Sequence, residues 1–217
     1  ISAYKKNVSE SNSKISAIND SGSFSESASQ LYDISRAYLF LRDEELAISH
    51  ETNYQPLIIF TDASVRKSMD VAAFAIVAKN IFKDFEIPVA TINKYNIKIH
   101  DSGDLNSCRL TGLISNYNTN TAEIMGILAA LEIFVYLAGV TNQKIVFYTD
   151  SLIAKKILSD KRMPPNSKLY VNFRKTFRRL TDLYSLSVSI KKVNAHKGIE
   201  LNELADQLAK QRLNLSN

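Results

Sequence analysis

Cysteine is almost missing from these 217 residues: Cys108 stands alone. An intramolecular disulfide and a cysteine-based zinc site are therefore excluded. A lone thiol of this kind reads as a small buried hydrophobe rather than as a nucleophile. Histidine is nearly as scarce, three in all and none paired, so an imidazole-rich metal site is also unsupported. No apolar run approaches the ~18 residues needed to span a membrane, and no secretory leader is visible. The expectation is an intracellular protein, cytoplasmic or nuclear, with no membrane association. Methionine is absent from the first position, where Ile1 stands, which reads as a fragment or a processed product. No feature of the pattern specifies an oligomeric state.

What the chain does contain is a core. Hydrophobic residues make up 45% and charged residues 23%, the balance of a globular protein, and the length suits one full domain plus an appendage. The net charge of +5 and a pI of about 9.1 lean mildly toward a polyanionic partner. Residues 1–29 are polar, with serine at alternate positions from Ser21 to Ser29, and read as a flexible tail or linker. Residues 30–55 carry a helical pattern (Leu31, Ile34, Ala37, Tyr38, Leu41) and read as a helical extension. The main domain is expected over 56–217.

Within it, Leu57 to Phe60 is a short β-rich run ending in Thr61-Asp62-Ala63-Ser64, and Val71 to Ala78 is a second run. Strand-like pieces follow at Ile87 to Ile92, Tyr95 to Ile99 and Arg109 to Ser115. Asn118 to Thr121 offer capping side chains to an apolar helix from Ala122 to Ala138, with Gly139 placed to end it. Lys144 to Tyr148 is another strand, closing on Thr149-Asp150-Ser151, and a helix runs from Leu152 to Leu158 before a break at Pro164-Pro165. Lys168 to Tyr184 reads as a two-faced helix: Leu169, Phe173, Phe177 and Leu180 on one side, and Arg174, Lys175, Arg178 and Arg179 on the other. Of those four cations only Arg178 has an acid at i+4, Asp182, and the group suits phosphate contact, although many basic faces are merely solvated. Ser187 to Val193 is a last strand. Strands paired by hairpins, then strands joined by helical crossovers, give an α/β class with a mixed sheet.

The chain ends on HKGIELNELADQLAK, from His196 to Lys210. Leu201, Leu204, Ala205, Leu208 and Ala209 form an amphipathic stripe, while Asn202 and Asp206, four apart, share another face. Read alone, Asp206 is as well described as a solvated carboxylate. Together with Asp62 and Asp150 at strand ends and Glu123 at the start of a buried helix, however, four acids could converge. Clustered carboxylates repel one another, and a fold tolerates them when something positive occupies the gap. Hard oxygen donors without thiols or paired imidazoles point to Mg²⁺ or Mn²⁺. Two such ions suit in-line attack of water on a phosphodiester.

These motifs resemble those of the ribonuclease H type 1 family. The ordered signature Asp, Glu, Asp, His, Asp is met by TDAS (Asp62), TAEIMGILAALE (Glu123), YTDS (Asp150) and HKGIELNELAD (His196, Asp206), with the last two spaced ten positions apart. The wording TDAS and the terminal motif are closest to retroelement-encoded versions, which implies a retrotransposon reverse-transcription setting and a reverse transcriptase domain in the same polyprotein. The resemblance implies a ribonuclease H-like fold, a mixed five-stranded sheet with helices on both faces. It also implies cleavage of the RNA strand of RNA–DNA hybrids, leaving a 5′-phosphate and a 3′-hydroxyl. Asp62 would bridge two Mg²⁺ ions, with Mn²⁺ a substitute. Asp206 would complete the site of the ion that activates water, Glu123 and Asp150 would hold the second ion, and His196 would assist proton movement or product departure. Asn118, Thr119 and Asn120 would read the 2′-hydroxyls, Ser151 and Asn202 would also contact substrate, and the Arg174 to Arg179 helix would follow the DNA backbone. The interval from Asp62 to Glu123 is long for the family, which places an insertion around Lys94 to Asp104.

Two rival classes remain beside this reading. Another nuclease of the same fold is disfavoured because Asp62-Ala63-Ser64 lacks the Asp-x-Glu of proofreading exonucleases and the last helix offers Asp206 rather than a glutamate. A non-catalytic nucleic-acid-binding or assembly module would be expected to have lost some of the four acids.

Overall fold

The computed structural model describes residues 55–66, 68, 70–81, 86–115, 118–159, 167–194 and 198–214. The Ser-rich segment expected over 1–29, the helical extension over 30–55 apart from Gln55, the Pro164-Pro165 break and His196 lie outside the described residues.

Six strands form one sheet in the order β3-β4-β2-β1-β5-β6. They are β1 (Leu57–Arg66), β2 (Val71–Lys79), β3 (Lys98–His100), β4 (Ser107–Ser115), β5 (Ile145–Thr149) and β6 (Val188–Lys192). β1, β2, β4 and β3 pair antiparallel in succession, whereas β5 and β6 add to β1 in parallel. Among the described residues five helices accompany them: α1 (Val89–Tyr95), α2 (Thr119–Thr141), α3 (Leu152–Ser159), α4 (Lys168–Leu183) and α5 (Glu200–Asn214). No helix among the described residues is long and apolar enough to cross a membrane.

The expected five-stranded sheet thus gains a sixth strand. Lys98 to His100 pairs with the outer edge of β4 and comes from the long interval before Glu123. Its neighbour departs from expectation as well, because the strand-like Ile87 to Ile92 stretch becomes α1. Pro88 starts this helix, Ile92 and Tyr95 at i and i+3 turn toward the core, and Asn96 ends it in the left-handed region at φ 47°. Short apolar runs do not separate strand from helix by pattern alone.

Helix α2 is buried around most of its girth, as an almost continuously apolar helix must be. The Asn118 side chain caps it by accepting from the Thr121 N–H at 3.0 Å. The helix does not stop at Gly139 but runs to Thr141, and Asn142 takes the left-handed turn at φ 51°. The strand face bearing Leu57, Ile59, Phe74 and Ile76 packs in one apolar cluster with α2, α3 and α4, while Phe60, Ala75 and Val77 pack under α5 through Ala205, Leu208 and Ala209. Helices therefore cover both faces.

Candidate active site

Strand β1 begins between two partners and ends with one. Its parallel register with β5 stops at Phe60 opposite Tyr148, whose rings stack at 4.7 Å and 11°, while its antiparallel register with β2 continues to Arg66. The first strand therefore runs past the TDAS motif instead of ending there, held by β2 alone. β5 breaks off at Thr149, where Ser151 accepts from the Ala154 N–H at 3.1 Å and starts α3. Asp62 and Asp150 each lie two residues beyond the stacked pair, at the point where the two strands part.

Glu123 reaches this gap from the second turn of α2 and is 5% exposed. The Ala63 N–H donates to both acids, to Asp62 Oδ1 at 2.7 Å and to Glu123 Oε1 at 3.1 Å. One carboxylate oxygen each from Asp62, Glu123 and Asp150 lies within 4.8 Å of the others. Glu123 Oε2 is buried and has no hydrogen-bond partner among the described residues. Burial, with the charge of Asp150 next and that of Asp206 as a smaller contribution, pushes Asp62 up to about 7 against the opposing Ala63 N–H. Burial first, then the charges of Asp62 and Asp150, hold Glu123 well above the usual carboxylate range. Three acids share a space with one backbone donor. The missing component is positive charge, and an all-carboxylate donor set with an orphaned buried oxygen fits a hard divalent cation.

Asp206 stands apart from the trio. Its Oδ2 is paired with Lys210 Nζ at 2.7 Å, one helical turn on. That hydrogen bond is the main cause of a raised Lys210 pKa, to which the Asp62 charge also contributes, so the ion pair faces the carboxylates. Lys210 was not among the residues singled out in the sequence, although its i+4 spacing from Asp206 is the signal that would have found it. The Ala63 N–H has no such signal, since any residue supplies one.

The other expected contacts divide. Asn118 and Thr119 are exposed and Asn120 is half-buried, with the Asn118 side chain engaged in the cap. Lys175, Arg178 and Arg179 are exposed on α4. Arg174 is not on that outer face: it is buried beside Phe173, and its Nε donates to the Ile157 carbonyl near the end of α3 at 2.7 Å. Position 174 lies at the margin of the Phe173–Phe177 stripe, and its long stem follows the apolar side. Asn202 is likewise turned inward, 3% exposed, with Oδ1 unpartnered among the described residues.

A sequence model described as RNase H matches residues 54–214. No curated protein matches the chain. Among solved structures, RNase H1 from the halophilic archaeon Halobacterium salinarum NRC-1 aligns with a TM-score of 0.51 at 21% identity, over 75% of this chain and 99% of that one. The N-terminal RNase H domain of a Mycobacterium tuberculosis protein, solved as a fusion with maltose-binding protein, aligns with a TM-score of 0.51 at 13% identity, over 76% and 100%. At these identities the two structures speak for the fold.

Proposed function

Because the chain belongs to the RNase H family, we propose that it is a metal-dependent endonuclease hydrolysing the RNA strand of RNA–DNA hybrids. The observation that carries this reading is the trio of Asp62, Glu123 and Asp150, with one oxygen each within 4.8 Å of the others. These residues would hold Mg²⁺, or Mn²⁺ in its place, and Asp206 would join them once released from Lys210. Bound there, two divalent ions supply Lewis-acid stabilisation of the entering and leaving oxygens of a phosphodiester.

The chain's own groups prepare that site. The Phe60–Tyr148 stack fixes how far apart β1 and β5 stand just before Asp62 and Asp150. The Ala63 N–H orients Asp62 and Glu123 together, and Lys210 restrains Asp206. Attack of water at phosphorus with departure of the 3′ oxygen leaves a 5′-phosphate and a 3′-hydroxyl. His196, by its spacing from Asp206, would assist proton movement or product departure. With Asn118 engaged as a cap, Thr119 and Asn120 are the side chains at the α2 start best placed to sense 2′-hydroxyls. Lys175, Arg178 and Arg179 provide the phosphate contacts to the DNA strand. The wording of TDAS and of the His196 to Lys210 motif supports a retroelement origin, with a reverse transcriptase domain in the same polyprotein.

A cleavage assay with end-labelled hybrid, single-stranded RNA and duplex DNA tests the proposal. RNA-strand cutting in Mg²⁺ or Mn²⁺, lost in Asp150→Asn with hybrid binding retained, is the expected result. Binding without cutting in either metal would establish the non-catalytic module instead, and equal cutting of duplex DNA would assign the chain to another nuclease branch.

A further inference from the structure

On the α5 side of the sheet, Asp62, Ala75, Thr111 and Lys98 form one row from β1 to the outer edge. Directly opposed residues share a face, so Lys98 stands on the same side as Asp62, three strand spacings or about 14 Å away. The adjacent row on this face places Arg109 opposite His100. Helix α5 covers the middle of these rows through Ala205, Leu208 and Ala209. Asp206 and Arg212 are six residues apart, about 240° around the helix, and so occupy opposite flanks.

Beyond α5, cations gather. Arg212 Nη2 donates to the backbone and side-chain oxygens of Asn96, both at 3.1 Å, which draws the α1–β3 turn against the helix. The charges of Lys98 and Arg212 reach His100, and with burial as the larger cause they lower its pKa. His100 Nε2 lies 2.8 Å from Thr111 Oγ1. Neither Lys98 nor Arg109 has a carboxylate within salt-bridge range among the described residues. Two of these groups, Lys98 and His100, come from the inserted strand that makes the sheet six-stranded.

We propose that Lys98, His100, Arg109 and Arg212 form a second phosphate-backbone contact, taken by nucleic acid that extends past the carboxylate site and across α5. The assignment rests on the hybrid-cleaving function above. The ridge between the two places carries exposed Gln207, Lys210 and Gln211, with half-buried Glu203 one turn before Gln207 and Asp206 paired with Lys210. The separation of about 14 Å is less than half of the ~34 Å turn of a duplex.

Hybrid binding measured by anisotropy across a salt series, in an Asp150→Asn background that keeps a hybrid of about 20 base pairs intact, tests this contact. Each released phosphate contact changes the slope of log affinity against log salt by about 0.9. Lys98→Gln and Arg109→Gln should each flatten the slope by about that amount and together weaken binding on the order of tenfold, while Lys98→Arg keeps the natural slope. In the otherwise natural chain, single-turnover cleavage at saturating hybrid should be unchanged by the pair while KM rises. An unaltered slope and affinity in the double variant would overturn the second contact and leave the nuclease reading standing. A natural chain that neither binds nor cuts the hybrid would overturn both.

Discussion

Phe74 and Asp62 are buried on adjacent strands of one sheet, yet their surroundings follow opposite rules. Around Phe74 the neighbours are shaped to the ring. Gly112 on β4 leaves the space that a Cβ would fill at 2.2 Å from the ring, a Cβ on Gly126 of α2 would lie 3.2 Å from the Phe74 Cβ, and Tyr95 meets the ring edge-on at 6.0 Å. Around Asp62 three carboxylates crowd together, two of them share one backbone N–H, and one buried oxygen has no donor among the described residues. The first environment gains from burial, about 1.5–3 kcal/mol for a side chain of this size. The second loses from it, because burial and like charge both oppose ionisation. The difference separates a part of the sheet that stabilises the fold from a part that is stable only because the rest is, and that is completed by positive charge from outside.

The largest effect that would break this comparison is on chemistry. Asp150→Asn should lower hybrid cleavage by about a thousandfold, roughly 4 kcal/mol of barrier, with the thermal midpoint held or raised. A variant that cuts normally would remove Asp150 from the site. Next comes the stabilising region. Gly112→Val drives a side chain into the Phe74 ring and should cost about 3 kcal/mol in chemical denaturation, while the folded fraction keeps its metal affinity. A neutral result would show that Phe74 is free to move.

The carboxylate region should respond in the opposite sense. In chelator, Glu123→Gln should raise stability at pH 8 by about 1 kcal/mol or more, since it removes a buried group held above its ordinary pKa. Asp62 sharpens this with pH. Its folded pKa of about 7 exceeds the ordinary 3.8, so the folded state binds the extra proton between those values. Stability of the metal-free chain should therefore be undiminished by this group below about 4, fall as pH rises toward 7 and level off above, and Asp62→Asn should flatten that fall. The smallest contrast lies on α4. Arg174→Met should cost about 1–2 kcal/mol by leaving the Ile157 carbonyl without its donor, whereas Arg178→Met should stay within about 0.5 kcal/mol. Equal costs would return Arg174 to the outer face.

How much of this was legible in the sequence depends on how far the cause reaches. The α2 and α5 helices and the β1, β2 and β5 strands follow from local periodicity, and the order of Asp62, Glu123, Asp150 and Asp206 was enough to suggest one acidic site. The sixth strand is legible only in part: Tyr95 to Ile99 reads as strand-like, but its first residues close α1, and Lys98 to His100 become a strand because β4 supplies the edge. The α1 segment differs from the strand-like reading because seven residues are too few for the helical spacing of Ile92 and Tyr95 to stand out from a short apolar run. Its charge puts Arg174 on the outer, phosphate-contacting face of the helix, and the Ile157 carbonyl that turns it inward lies 17 residues away in the chain. Convergence of the acids could be suspected, but the shared Ala63 N–H and the Lys210 hold on Asp206 required the fold.

The central claim is that buried carboxylates at the parting of β1 and β5 form a cation site for which protons compete. Calorimetric titration of Mn²⁺ into the chain without nucleic acid, repeated from pH 5.5 to about 8.5 and again with Glu123→Gln, tests it most directly. The account predicts that apparent affinity strengthens as pH rises through about 7, the value at which Asp62 ionises, then levels, and that Glu123→Gln weakens binding at every pH. Binding that is indifferent to pH and unchanged by Glu123→Gln would contradict it.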